Sequence, residues 1–438
     1  MSGVSFEQAL GIAARFVASQ RGPVRDALLL VRDLRGRITI AVDDRRAPDA
    51  AEVMQGAIGP LYEQISPWSP GPRGAALLAS RLLDPDAIFD APEVVSLAGS
   101  GVRLLDRLVT GREWLSHPPE GGSGGHPPRV VFYGVKGGVG RTTAASVVAL
   151  ELARAGRTVL AVDLDLESPG LSHALLREED LPPRGLLDAY VNLGVGPLDE
   201  GAAGELVRRS PASDRPEIEG TIWVAPARGR DAGDFLGKLS RAYVDGVGDS
   251  ATFAWRTVEI LRRIEAQVRP DVVLIDSRAG LHDIAAVALT RLDAEIGLLF
   301  AAASTQTWGD LEVLFAAWNQ RGLARAFRER LQVVAALVPE LGAEDYLRRL
   351  RARAHEVFSR TLYDEEDAGS LERLDAFNFD PDDESAPHWP LPVRWNRAFF
   401  DWEASGEGSD HGAFIQPCFG ALLRRVQACL PEPATEQE

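Results

Sequence analysis

The densest cluster of residues suited to chemistry in this 438-residue chain is the run Lys136-Gly137-Gly138-Val139-Gly140-Arg141-Thr142-Thr143. Glycines at 137, 138 and 140 let the backbone curl until successive N–H groups point into one concavity. Hydroxyl residues follow where a helix would begin, so its positive dipole end faces the same space. The oxygens of a phosphate chain fit that environment, and the Thr142 hydroxyl stands where a phosphate-bound Mg²⁺ takes a protein ligand. Three carboxylates lie further on: Asp163 and Asp165 in AVDLDLESPG, and Asp276 closing VVLIDS. A carboxylate at a strand end can equally cap a helix, so these three gain meaning only in company with the loop.

Such residues must be held by rigid elements, and the pattern from Arg129 onward supplies them. Apolar runs at 130–135, 158–165, 221–227, 272–277, 295–302 and 331–339 predict buried strands. Helical spacing fills the gaps, over 142–156 behind the loop, then in FAWRTVEILRRIEAQV and WGDLEVLFAAWNQR. This alternation predicts an α/β fold, a mostly parallel sheet with helices on both faces, with the loop between its first strand and first helix.

Residues 1–115 read as a separate small α/β accessory domain. SFEQALGIAARFVASQ has helical spacing, DALLLVRD and ITIAVDD make a hairpin, and AAEVMQGAIGPLYEQI and a stretch around GVRLLDRLVTGREWL read as two further helices. No catalytic constellation is found there. Residues 116–128, SHPPEGGSGGHPP, have the composition of a linker, with His117 and His126 expected to be solvated. The second domain then runs over 129–438, with an acidic insertion around 363–385 expected to be solvated and a Pro- and Trp-rich segment, HWPLPVRWN. In the last helix Cys418, Leu422, Val426 and Cys429 share one face, which is expected to pack on the domain rather than on a membrane.

Composition narrows the function classes. No apolar run approaches the roughly 18 residues of a membrane span, and MSGVSFEQAL lacks the features of a secretory signal, so a cytoplasmic protein is expected. Cys418 and Cys429 are too few for a disulfide framework or a tetrathiolate metal site, and read as structural thiols. A net charge of −17 speaks against coating nucleic acid by bulk electrostatics, while leaving a local basic face open. Of the 47 basic residues only Lys136 and Lys238 are lysine, so an arginine-rich chain has kept an ammonium at the head of its glycine loop.

KGGVGRTT resembles the deviant Walker A loop of the ParA/MinD family of P-loop ATPases, usually KGGVGKTT. The resemblance implies ATP and Mg²⁺ as ligands of residues 136–143, and a nucleotide-dependent homodimer in which Lys136 reaches the partner's phosphates. Asp163 and Asp165 match the family's DxD, Asp165 helping to orient the attacking water; Asp276 matches the aspartate that holds Mg²⁺ through water. On this pattern Lys136, Arg141 and Asp165 form the catalytic set, and Thr142, Asp163 and Asp276 the metal set. Residues 277–280, SRAG, match the second switch, with Arg278 where proline is common; it reads as a surface arginine, or as a cation aimed at the γ-phosphate. Relatives contact adenine after a late strand, here near Val338 to Glu340 or in HWPLPVRWN.

Arg141 departs from the family by replacing the ordinary P-loop lysine, which brings the chain close to the KGGVGR-motif variants, a bacterial group associated by analogy with conflict and defence. Guanidinium is planar and bulkier than ammonium, so nucleotide binding can survive where hydrolysis is altered. The leading expectation is a dimeric ATPase switch acting on a protein partner through the N-terminal domain or the C-terminal segment. The alternatives are a non-hydrolysing ATP sensor or scaffold, and a DNA-associated partition or positioning ATPase.

Overall fold

The computed structural model describes residues 4–431 apart from 92, 98, 109, 117–124, 200, 232, 246–251, 365–375 and 400–411. Most of the 116–128 stretch, His117 included, lies outside the described residues, as does the middle of the acidic stretch. The chain divides into two compact units, Met1–Ser116 with Ala317–Leu323, and His117–Ala316 with Ala324–Glu438.

In the first unit, β1 (Leu28–Arg32) and β2 (Ile38–Val42) form the antiparallel hairpin, with Leu30 opposite Ile40. With β3 (Leu77–Leu78), β4 (Val94–Ser96) and β5 (Arg103–Asp106) they make a five-stranded sheet of order β3-β2-β1-β5-β4. Leu28, Leu30, Ile38 and Ile40 pack with Ala13, Val17, Met54 and Ile58 of the helices Phe6–Ala18 and Ala50–Gln64. The helix expected around 101–115 is instead β5 followed by a single 3₁₀ turn, Glu113–Leu115. Leu104 and Leu105 point to opposite faces and both are fully buried, so the strand shows none of the alternation that would mark it. Gly101 at φ 63° and Gly111 at φ 77° break the chain on either side.

The second unit is built on an eight-stranded sheet of order β13-β12-β11-β6-β10-β7-β9-β8. Its strands are β6 (Arg129–Tyr133), β7 (Thr158–Asp163), β8 (Arg208–Arg209), β9 (Thr221–Ala225), β10 (Val272–Asp276), β11 (Ile296–Ala301), β12 (Leu331–Val338) and β13 (Leu391–Arg394). Every neighbouring pair is parallel except β8 on β9. Val130, Phe132, Val272 and Leu274 pack with the helices Arg141–Arg154 and Gly412–Gln427. The intervening Val131, Tyr133, Val273 and Ile275 are equally buried on the opposite face. Covering both faces is why these strands read as continuous apolar runs.

Four local features differ from expectation. HWPLPVRWN contains β13, an edge strand that tolerates Pro392 because no further strand needs its missing N–H. His126 is not solvated, since its Nε2 lies 3.3 Å from the Asp293 carboxylate. The acidic stretch is not solvated at its start: Tyr363 is buried and Asp364 is clamped by both terminal nitrogens of Arg328, at 2.8 and 3.0 Å. Cys429 lies beyond the end of the last helix and is half-buried, whereas Cys418 sits in the core; both thiols are free. Among the described residues no helix is long and apolar enough to cross a membrane.

Candidate functional site

Strands β6, β10 and β7 are consecutive parallel neighbours, so their C-terminal ends open on the same edge of the sheet. Register places Asp276, the last residue of β10, beside Phe132 of β6 on one side and Asp163 of β7 on the other. The glycine loop leaves β6 at Gly134 and enters the helix Arg141–Arg154 at its other end. Gly138 and Gly140 adopt φ of 72° and 77°, a left-handed backbone open to glycine at little cost. Loop, first carboxylate pair and strand-end aspartate thus converge although 140 residues separate the first from the last.

Contacts in this crevice are specific. The Thr142 hydroxyl donates to Asp276 Oδ2 at 2.6 Å, while Asp276 Oδ1 is buried and has no hydrogen-bond partner among the described residues. A buried carboxylate oxygen without a donor is costly unless something positive faces it. Asp163 is also fully buried; its Oδ2 accepts from the backbone N–H (2.8 Å) and the hydroxyl (2.6 Å) of Ser172, and its Oδ1 from the Asp165 N–H at 3.2 Å. Burial, and next the charge of Asp276, push the Asp163 carboxyl up to about 7. Burial likewise pushes Asp276 up to about 6, against the opposing pull of Arg141 and of the Thr142 hydroxyl.

The donor set fits Mg²⁺. Asp276 offers one carboxylate and Thr142 one hydroxyl, so a cation held here would be completed by water and phosphate oxygens. Mg²⁺ accepts that mixture, because it keeps several waters and needs only one or two protein carboxylates.

The remaining expected residues are distributed more widely. Arg141 is buried, and its Nη1 donates to the Ser277 carbonyl at 2.5 Å, so its guanidinium is turned onto the chain leaving β10. Lys136 donates from Nζ to Gln306 Oε1 at 2.5 Å, at the start of the helix Thr305–Gln320. The carboxylate of Asp165 accepts the Ser168 N–H at 3.2 Å. Arg278 is not a free surface residue: it forms an ion pair with Glu167, joining the chain after β10 to the chain after β7.

A pocket of about 380 Å³ adjoins the loop, lined by Gly138 to Thr143 on one side and by Leu337, Val393 to Asn396, Phe399 and Phe419 on the other. Its volume falls in the range of small-ligand sites. Leu337 has φ 53°, rare for a leucine, where the β12–β13 register shifts between Ala335 and Val338. That irregularity brings its side chain to the loop, 3.7 Å from where a Cβ on Gly140 would stand. Trp395 beside it is 47% exposed, an aromatic face left open. Both stretches considered for adenine therefore approach this pocket, the first through its neighbour Leu337 and the second through Arg394 to Asn396. Ser172, Gln306 and Phe419 carry no sequence signal; Gln306 meets Lys136 across 170 positions, with no spacing rule to link them.

Fold and loop together define an α/β nucleotide-binding protein of the P-loop class. Residues 130–362, more than half of the chain, match the family model described as the CobQ/CobB/MinD/ParA nucleotide binding domain, and the chain belongs to that family. Similar solved structures include pNOB8 ParA, at 15% identity over 69% of this chain and 98% of that one, with a TM-score of 0.43. The cell division ATPase MinD of Pyrococcus furiosus is similar at 22% identity, 50% and 74% coverage and a TM-score of 0.34. Cobyrinic acid a,c-diamide synthase from Mycobacterium smegmatis, solved with a bound ATP analog and magnesium, is similar at 18% identity, 52% and 82% coverage and a TM-score of 0.37.

Proposed function

We propose that the chain is an ATP- and Mg²⁺-dependent dimeric switch that hydrolyses ATP and acts on a protein partner. The observation that carries this reading is the Thr142–Asp276 contact with its unsatisfied, buried Oδ1, at the mouth of three adjacent strands and beside a glycine loop. In this reading residues 137–143 cradle the phosphates and Thr142 and Asp276 hold the cation, with Asp163 bracing the site from β7. Asp165 orients the attacking water, and Lys136 supplies charge to the facing protomer. A bound Mg²⁺ would neutralise charge on the phosphates as the terminal one departs.

A protein partner is favoured over nucleic acid by the pairing of arginines along the helix Ala343–Thr361. Arg349 lies 3.2 Å from Asp345, Arg351 3.0 Å from Asp382, Arg353 2.5 Å from Glu356, and Arg360 3.2 Å from Glu312. Basic residues neutralised in this way offer little to phosphates. The N-terminal unit or the C-terminal segment would carry the partner surface. A setting in bacterial conflict or defence comes from the resemblance to the KGGVGR variants and is proposed on that ground alone.

One observation favours a second reading, a sensor that binds ATP without turning it over: the Arg141 guanidinium donates to the Ser277 carbonyl, on the chain leaving β10. Steady-state hydrolysis with Mg²⁺ separates the two. Turnover that disappears in Asp165→Ala supports the switch; tight binding without turnover, and activity gained in Arg141→Lys, supports the sensor. For the dimer, Lys136→Ala is expected to abolish ATP-dependent association while monomeric binding stays measurable; a dimer that persists removes the role given to Lys136.

A further inference from the structure

A second, smaller cavity lies in the same unit, lined by residues other than those of the glycine loop. It has a volume of about 210 Å³ and is lined by Pro169, Ser172, His173, Glu178, Arg228 and Arg230, among others. Its walls are interlocked by main-chain bonds between the segments 182–187 and 226–230. Leu186 N–H donates to the Pro226 carbonyl at 2.9 Å, Leu187 N–H to that of Ala227 at 3.0 Å, and Arg230 N–H to that of Pro182 at 2.8 Å. The two segments touch so closely that a Cβ on Gly185 would come within 2.5 Å of the Arg228 carbonyl carbon, and one on Gly229 within 2.5 Å of the Pro183 carbonyl. Glycine at both positions is the condition for this wall to form.

The charges in the cavity are unequally satisfied. Arg230 spends its Nη2 on the carbonyls of Glu179 (3.0 Å) and Leu181 (2.9 Å). Arg228 has no carboxylate partner among the described residues; its guanidinium lies over the Phe235 ring, 4.9 Å from the centroid. A planar cation held by stacking keeps its edge N–H groups available for a forked pair of bonds to an oxyanion. The cavity is below the roughly 300–1,000 Å³ of drug-sized sites, so its occupant is small. Glu178 at the rim can accept from a hydroxyl or ammonium group on the same molecule.

The cavity meets the nucleotide crevice at Ser172. The Ser172 hydroxyl, which lines it, donates to Asp163 and accepts the Ala227 N–H at 3.3 Å. An occupant that moves Ser172 therefore shifts a buried carboxylate beside Asp276.

We propose that this cavity binds a small oxyanion, the phosphate or carboxylate group of a metabolite, on Arg228, and that occupancy is felt at the nucleotide site through Ser172. The coupling rests on the function proposed above; the anion site does not. The test uses the full chain with its glycine loop filled by AMP-PNP and Mg²⁺, titrated calorimetrically with inorganic phosphate in one arm and malonate in the other. Binding of either probe that weakens about tenfold or more in Arg228→Ala and is partly restored in Arg228→Lys is expected. The arm that binds names the chemistry. Equal affinity in wild type and Arg228→Ala, or no binding of either probe at tens of millimolar, overturns the site. Unchanged AMP-PNP affinity in Arg228→Ala confirms that the variant folds. A chain that fails to bind AMP-PNP refutes the nucleotide reading, and the comparison of wild type with Arg228→Ala still decides the anion site. If AMP-PNP affinity does not respond to the bound probe, or responds equally in Ser172→Ala, the coupling is wrong.

Discussion

The two ends of the 380 Å³ pocket are built on different principles. At the glycine-loop end the lining comes from one short run of sequence, Gly138 to Thr143, whose backbone passes through positive φ at Gly138 and Gly140. At the other end the lining is gathered from β12, from β13 and the turn after it, and from the last helix, through Leu337, Val393 to Asn396, Phe399 and Phe419. Main-chain recognition depends on a conformation few sequences can adopt, so it leaves a motif. Side-chain recognition tolerates many solutions, so it leaves none.

Three measurements sharpen or break that contrast. The largest effect is expected from Gly138→Val. A β-branched residue at φ 72° is strained by roughly 1–2 kcal/mol or more and turns the loop N–H groups away from the phosphates. Titration with a fluorescent ATP analogue is expected to show a loss of about a hundredfold or more; retained affinity would mean that main chain is not what holds the phosphates. Trp395→Ala comes next. Loss of an aromatic face for the base costs about 1–3 kcal/mol, roughly tenfold in ATP affinity, with pyrophosphate binding unchanged. An equal loss for pyrophosphate would show that the two ends are not separable.

The smallest effect concerns the chain that leads into β13. Arg328 holds the Asp364 carboxyl down at about 2, and the same carboxylate accepts the Phe377 N–H at 2.9 Å, where the chain returns toward β13. A folded-state value below the unfolded carboxylate value of roughly 4 means stability that is present above pH 4 and is lost as pH falls toward 2. Urea midpoints of wild type and Asp364→Asn are expected to differ at pH 6 and to converge only as pH falls through about 2. The side chain is partly exposed, so the difference is small. Parallel pH profiles would remove Asp364 from this role.

Legibility followed the same divide. The strands β6, β7 and β9 to β12 could be read because burial on both faces makes them continuous apolar runs, and the helix Arg141–Arg154 because it follows a glycine loop. That same continuity hid β5, whose buried Leu104 and Leu105 passed for one stripe of a helix. Strand β13 was hidden by Pro392, which is acceptable only because the strand lies at an edge, a position no local pattern reveals.

By itself the sequence determined the local geometry of the glycine loop. Gly138, Gly140 and Thr142 dictate a local backbone, and local backbone is settled within a few residues by sterics and hydrogen bonding. It also put a carboxylate at the end of each strand that needed one. Tertiary structure alone decided what those carboxylates face: strand order set Asp276 between Phe132 and Asp163, turned Arg141 onto Ser277, tied Lys136 to Gln306, and brought Leu337 to the loop from about 200 residues away. The partners of a buried charge are chosen by sheet register and helix packing, sums over the whole unit, and these determine whether a motif that binds phosphate also becomes a working switch.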